Sequence, residues 1–206
     1  MNRHLIDVQL LDGRTVGIRP ISPSDREALV QFHEGLTSET TRLRFFILHP
    51  HLMPREVERF THVDHHDREA LVALDGPDII AVGRFDRLPG TDDAEVAFVV
   101  ADSWQGHGVG THLIEQLARR ARTEGVTRFV ADTLGENYRM RDVFRHSGLM
   151  ASSQTDAGVV HVVLNLGLEP TARHSGLAPG LAARFDEHMT FGPSATVPSR
   201  IYETAT

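Results

Sequence analysis

Residues 95–111 read Glu-Val-Ala-Phe-Val-Val-Ala-Asp-Ser-Trp-Gln-Gly-His-Gly-Val-Gly-Thr, and the fold turns on this stretch. Residues 94–101 are nearly all apolar and β-branched or aromatic, which suits a strand covered on both faces. Glu95 is the one ionisable residue inside that run. Glycines then alternate at 106, 108 and 110, and residues 111–124 carry apolar side chains at helical spacing. A strand, a glycine-rich loop and the first turn of a long helix follow one another. Such a loop can turn its backbone N–H groups toward one point, where the helix N-terminus adds partial positive charge. The stretch predicts an anion cradle beside a lone carboxylate.

Working outward, residues 6–11 and 14–19 read as two short strands joined at Asp12-Gly13, a strong hairpin signal. Ser22 caps a helix with Pro23 at its first position, and Leu29, Phe32 and Leu36 give it an apolar face up to about Gly35. A second helix over 38–46 is expected to bury Leu43, Phe46 and Ile47, and Pro54 opens a third over 54–61. Residues 71–74 and 79–85 form the next hairpin, and 88–93, with Pro89-Gly90, a loop. Beyond the glycines, Val109, Leu113, Ile114, Leu117, Ala118 and Ala121 make one helical stripe that Gly125 ends. Residues 127–134 are a further strand, Asn137 caps a helix burying Met140, Val143 and Phe144, and 149–153 and 159–166 complete the sheet. Residues 1–168 thus read as one domain of α/β (α+β) class, a mixed sheet with helices on both faces. From Glu169 the composition shifts to Pro, Gly, Ala, Ser and Thr, so 169–206 is read as an extension with a short helix at 181–189 and a weakly ordered tail.

The totals exclude several function classes. A net charge of −7 argues against a general nucleic-acid partner, because neutralising phosphates needs a basic surface. The absence of cysteine excludes disulfides, thiolate metal sites and a cysteine nucleophile, and fits a reducing compartment. Neither a signal-like start nor an apolar run of ~18 residues is present, so a cytoplasmic protein without a membrane partner is expected.

The glycine loop has competing readings. No lysine follows Gly110, so the triphosphatase loop fails. A dinucleotide fingerprint should open the first βαβ unit, whereas this loop lies halfway along the chain behind antiparallel-looking strands. A purely structural turn stays open on the loop alone. His62, His65 and His66, with Asp64 and Asp67, lack the helical i, i+4 spacing of a zinc site; a solvated loop and no metal are expected.

Taken together, Gln105-x-x-Gly108-x-Gly110 behind an Ala-Glu-Val strand resembles the acyl-CoA site of the GNAT N-acetyltransferase superfamily. Asn137 and the run Phe144-Arg-His-Ser-Gly148-Leu149 continue the resemblance. Upstream, Asp12-Gly13-Arg14, Ile18-Arg19-Pro20, Leu36-Thr-Ser-Glu39, Arg44-Phe45-Phe46 and Thr61-His-Val-Asp64 are similar to the acetyltransferase domain of bacterial Pat-type protein lysine acetyltransferases. The resemblance implies a mostly antiparallel sheet of about seven strands, splayed between its strands 4 and 5, with the pantetheine arm in the V. It implies that backbone groups of Phe98, Val99 and Val100 pair with pantetheine. Gln105, Gly106, His107, Gly108, Val109, Gly110 and Thr111 would hold the pyrophosphate, with the His107 side chain either touching phosphate or standing exposed, and Asn137 would touch the cofactor near its thiol arm. Acetyl-CoA is the implied co-substrate, with no metal.

Glu95 is the candidate general base; the alternative is an ordinary strand glutamate facing solvent or paired with an arginine. A protonated amine cannot attack a thioester, and a carboxylate among apolar neighbours has its pKa raised toward a useful range. Many members protonate the leaving thiolate with a tyrosine where this chain has Phe144; Tyr138 is a weak substitute, and the acid stays unassigned. The expected acceptor is an amine, first a protein lysine and second a small amine such as a polyamine, amino acid or antibiotic. A non-catalytic acyl-CoA sensor is the reading from another class. Arg42 stands where Pat-type sequences tend to have tyrosine, the acidic surface favours a cationic acceptor, and monomer and homodimer remain open. No room is expected for a fused cyclic-nucleotide module of the kind that Pat-type enzymes often carry.

Overall fold

The computed structural model describes residues 5–167. The expected extension at 169–206, with its helix at 181–189, lies outside the described residues. The first hairpin forms as its turn chemistry requires: β1 (Ile6–Gln9) pairs antiparallel with β2 (Thr15–Pro20), and Gly13 takes the positive φ of +86° that its turn needs. Pro23–Asp25 is a single 3-10 turn rather than the start of an α-helix, with the Asp25 carboxylate accepting from the Ser22 N–H at 2.7 Å. Helix α1 (Arg26–Glu34) follows, then α2 (Ser38–Phe45) and α3 (Pro54–Thr61). The hairpin β3 (Arg68–Asp75) and β4 (Asp78–Arg87) leads to β5 (Asp93–Val100) and α4 (Val109–Thr123). The chain continues through β6 (Arg128–Leu134), α5 (Tyr138–His146), β7 (Met150–Asp156) and β8 (Val159–Asn165).

The strands make one sheet in the order β1-β2-β3-β4-β5-β6-β8-β7, antiparallel except for β5 with β6. It has eight strands, the number of segments read in the sequence, where the resemblance implied about seven. The splay therefore falls between the fifth and sixth strands of this chain, not the fourth and fifth.

Alternation along β5 divides two cores. Ala94, Val96 and Phe98 pack with Leu113, Leu117 and Phe129 under α4, and Ala97 and Val99 pack with Leu29, Phe32 and Phe60 under α1 and α3. Both faces are thus covered, and each fully buried Leu or Phe contributes about 1.5–3 kcal/mol. Helix α2 departs from its sequence reading. It buries Thr40, Thr41 and Phe45, while Leu43 and Phe46 are half-buried and Ile47 is 63% exposed. The reason is that α2 crosses the open edge of the sheet, so its Leu43 and Phe46 line a cleft instead of a core.

Candidate active site

The cleft exists because β5 and β6 stay together for only three residues. Asp93 lies beside Arg128, Ala94 beside Phe129 and Glu95 beside Val130, and the ladder ends there. Arg128 pins the closed end, its Nε and Nη2 each donating to one oxygen of Asp93 at 2.9 Å. Beyond that point β6 continues against β8, while Val96–Val100 keep only β4 as a ladder partner among the described residues. The V between them is a cavity of about 800 Å³.

Glu95 stands at the apex of the V, half-buried, on the last rung shared by the two strands. On its other side the register sets it directly across from Asp86, so both carboxylates project from the same face. Asp86 is mostly buried, which disfavours its charge. The guanidinium groups of Arg84 and Arg68 outweigh that and hold its pKa below the ordinary carboxylate value. Along the strand, Phe98, Val99 and Val100 line the cleft. The Phe98 side chain turns away into the core and meets Phe144 edge-on at 6.5 Å, leaving its backbone at the open edge.

At the far end the chain turns into α4 through Gly106 and Gly108, with φ of +81° and +92°, conformations that a side chain resists. Gly108 is the N-cap, no acidic side chain occupies the first turn, and the free N–H groups of the helix start therefore face the cleft without a competing anion. Gly110 lets α5 approach: a Cβ there would meet Val143 Cγ2 at 3.0 Å. These features suit a diphosphate. From Glu95 to Val100 the strand advances five residues, about 16 Å, so carboxylate and cradle are separated by the length of an extended linker.

All but one of the residues singled out in the sequence line this one cleft: Glu95, Phe98, Val99, Val100, Gln105, Gly106, Gly108, Val109, Gly110, Thr111 and Asn137. His107 does not. Its ring turns out to Asp12 at 2.9 Å, and its carbonyl accepts from the Leu11 N–H at 3.3 Å, tying the loop to the first hairpin. The Gln105 side chain is also engaged: its amide donates to the Val100 carbonyl and the Thr40 hydroxyl, and its oxygen accepts from Arg139 at 2.7 Å. Asn137 accepts from the Met140 N–H at 3.1 Å as the cap of α5.

Sequence reasoning missed Asp102. It accepts from the Thr37 and Thr40 hydroxyls at 2.8 and 2.7 Å and from the Thr37 N–H at 3.1 Å, docking α2 onto the loop. Burial works against its charge, but these hydrogen bonds prevail and lower its pKa. Arg42 was also unforeseen as a bridge; it spans the mouth of the cleft from Glu39 to Glu136, at 3.0 and 2.7 Å. Nothing local in the sequence signalled partners more than sixty residues away. Phe144 is 4% exposed and offers no hydroxyl, while Tyr138 stands 68% exposed at the rim. The three histidines of the 62–66 loop separate: His65 pairs with Glu69, His66 with Glu124 and His62 with Glu58. Among the described residues no three metal-binding side chains converge.

The comparisons with known proteins agree with this geometry. The profile of the acetyltransferase (GNAT) family matches residues 33–149. The acetyltransferase Pat of Mycolicibacterium smegmatis is 34% identical over 158 residues, 75% of this chain and 47% of that protein. The chain therefore spans about half the length of this curated relative. The crystal structure of the GNAT domain of S. lividans PAT superposes with a TM-score of 0.74 at 41% identity, covering 78% of this chain and 96% of that domain. A more distant fold neighbour, yncA from Salmonella typhimurium solved with acetyl-CoA, gives a TM-score of 0.62 at 17% identity, covering 76% and 98% of the two chains. A splayed parallel pair, a glycine-rich turn into a helix and a matching family profile lead to one assignment: the chain belongs to the acetyltransferase (GNAT) family, close to its Pat-type members.

Proposed function

We propose that this chain is an acetyl-CoA-dependent N-acetyltransferase whose acceptor is a protein lysine side chain and whose general base is Glu95. The observation that carries the reading is the placement of Glu95 on the last rung before β5 and β6 part, inside the cleft that ends at the glycine cradle. In this reading the N–H groups of residues 106–111 hold the pyrophosphate of acetyl-CoA, the positive-φ glycines allowing close backbone approach. The open backbone edge at Phe98, Val99 and Val100 pairs with pantetheine as an added strand would, and Asn137 borders the thiol end from α5. The His107 side chain, committed to Asp12, steadies the loop and does not touch phosphate.

The chemistry is one displacement. Glu95 takes a proton from the acceptor ammonium, directly or through water, and the freed amine nitrogen attacks the thioester carbonyl carbon. The C–S bond breaks as the C–N bond forms; the nitrogen sheds its second proton to water as the amide forms, and the leaving thiolate takes a proton from water, since Phe144 supplies no acid. Holding both reactants in one cleft makes the encounter effectively unimolecular. The net charge of −7 favours a cationic acceptor by steering. A cytoplasmic setting, where acetyl-CoA and lysine targets coexist, belongs to the same proposal.

Incubation of the protein with labelled acetyl-CoA and a cell extract tests it. Label in protein bands is expected. Label confined to small molecules would replace lysine with a small amine, and tight acetyl-CoA binding with no thiol release from any amine would make the chain an acyl-CoA sensor.

A further inference from the structure

A second cavity, of about 40 Å³, adjoins the cleft where α2 meets β5, sharing Arg44, Ala97 and Val99 with it. Its walls are apolar, from Ile21, Leu29, Phe32, Phe60 and Val82, apart from Arg44, Arg84 and His33. Arg84 is 4% exposed, lies over the Phe60 ring at 4.6 Å and donates through Nε to Asp86 at 3.1 Å. Its Nη2 is buried and has no hydrogen-bond partner among the described residues. An open N–H on a buried guanidinium is costly unless something accepts from it. Burial lowers the pKa of Arg84, and the nearby positive charges of Arg44 and Arg68 lower it further against the pull of Asp86. Arg68 already shares Asp86, whereas Arg44 rests on the Phe45 ring at 5.0 Å and has no carboxylate partner among the described residues. Two guanidinium groups that repel each other, one with a buried unmet donor, meet at a small cavity joined to the cleft. An anion there would accept from Arg84 and offset both charges. The volume is about three times what a single water needs and fits a carboxylate group.

We propose that the junction at Arg44 and Arg84 is a carboxylate subsite, and that the acceptor amine belongs to a molecule bearing a carboxylate. The acceptor half rests on the N-acetyltransferase reading above; the subsite itself does not. Ala97 faces Arg84 across the ladder and lies two residues along β5 from Glu95 on the same face, about 7 Å away. Amine and carboxylate should therefore be separated by roughly that span. An ω-amino acid meets the requirement, and so does a target lysine beside an acidic residue.

The subsite is read without turnover. Thermal unfolding of the full chain is followed against formate, acetate and chloride at fixed ionic strength. A saturable rise in Tm with formate, lost in Arg84→Met, supports the subsite; because Arg84→Met can fail to fold, Arg44→Gln is run beside it and should weaken the effect at least tenfold. An equal, non-saturable response in all three proteins means that the cavity holds only water and overturns it. For the acceptor, 6-aminohexanoate is compared with hexylamine, and a Lys-Glu peptide with a Lys-Gln peptide. Arg44→Gln should raise KM at least tenfold for the carboxylate-bearing member of the productive pair and leave its neutral counterpart unchanged. Equal changes for both members overturn the acceptor assignment. A protein that binds formate yet acetylates none of these amines also overturns it, and leaves the subsite standing.

Discussion

Replacing Glu95 with glutamine is the sharpest test of the chemistry, because the geometry separates its effects. Glutamine keeps the shape of the side chain, and the backbone stays fixed between Asp86 and Val130 on the two neighbouring strands, so folding should change by less than about 1 kcal/mol. The proposed phosphate cradle begins beyond Val100, about 16 Å along the strand. That distance exceeds the screening length of roughly 8–10 Å, so losing one charge should alter acetyl-CoA affinity by less than about twofold. The proposed displacement loses its proton acceptor. General bases contribute about 10²–10⁴ in rate, or ~3–5 kcal/mol of barrier, and kcat should fall at least tenfold. Thiol release gives kcat with any acceptor that is turned over, and calorimetric titration gives acetyl-CoA affinity. A kcat within twofold of wild type removes Glu95 from its role. A parallel loss of acetyl-CoA affinity would instead show that the V had distorted, which the sheet register argues against.

Other expectations address the scaffold and the cradle. Gly110→Val places a branched side chain where Val143 already stands 3.0 Å from a Cβ, so α5 must move off α4; acetyl-CoA affinity and Tm should both fall, the latter by about 1–3 kcal/mol in unfolding free energy. Leu117→Ala removes a fully buried side chain beneath α4 and should cost about 2–5 kcal/mol by denaturant unfolding, with acetyl-CoA affinity unchanged at temperatures where the protein stays folded. Asp102→Ala leaves the Thr37 and Thr40 hydroxyls without their acceptor and should loosen α2 against the loop, seen as faster amide exchange at residues 37–45. Asp25 pairs with Arg19, and although burial works against the carboxylate, that bond and the Ser22 N–H lower its pKa below 3.8. A depressed folded-state pKa means that its contribution is complete above about pH 3.8 and fades as pH falls through the folded value. The Tm difference between wild type and Asp25→Asn should therefore be flat near neutrality and shrink in that acid range.

Much of the scaffold was legible because its signals are local. The Asp12-Gly13 turn, the Pro54 helix start and the Asn137 cap each depend on a few consecutive dihedrals, and all three elements formed at or within a few residues of their expected bounds. The same holds for the turn into α4, where alternating glycines prescribe positive φ before a helical stripe begins. Helix α2 was misjudged because apolar residues on a helix imply only that something covers them, and here Leu43 and Phe46 face a ligand-sized cleft. The pairing of His107 with Asp12 was not legible, because the neighbours of His107 in sequence are glycines and Asp12 arrives from another hairpin.

The sequence by itself determined the strand, loop and helix unit around Glu95 and the two-faced alternation along β5, because peptide dihedrals and hydrophobic period act over a few residues. The tertiary structure alone decided where β5 and β6 separate, that Glu95 occupies the last shared rung, that Asp102 secures α2, and that Arg44 and Arg84 meet beside the cleft. Those relations join residues tens of positions apart. They are set by strand order and by the pinning of Asp93 to Arg128, which no local pattern encodes.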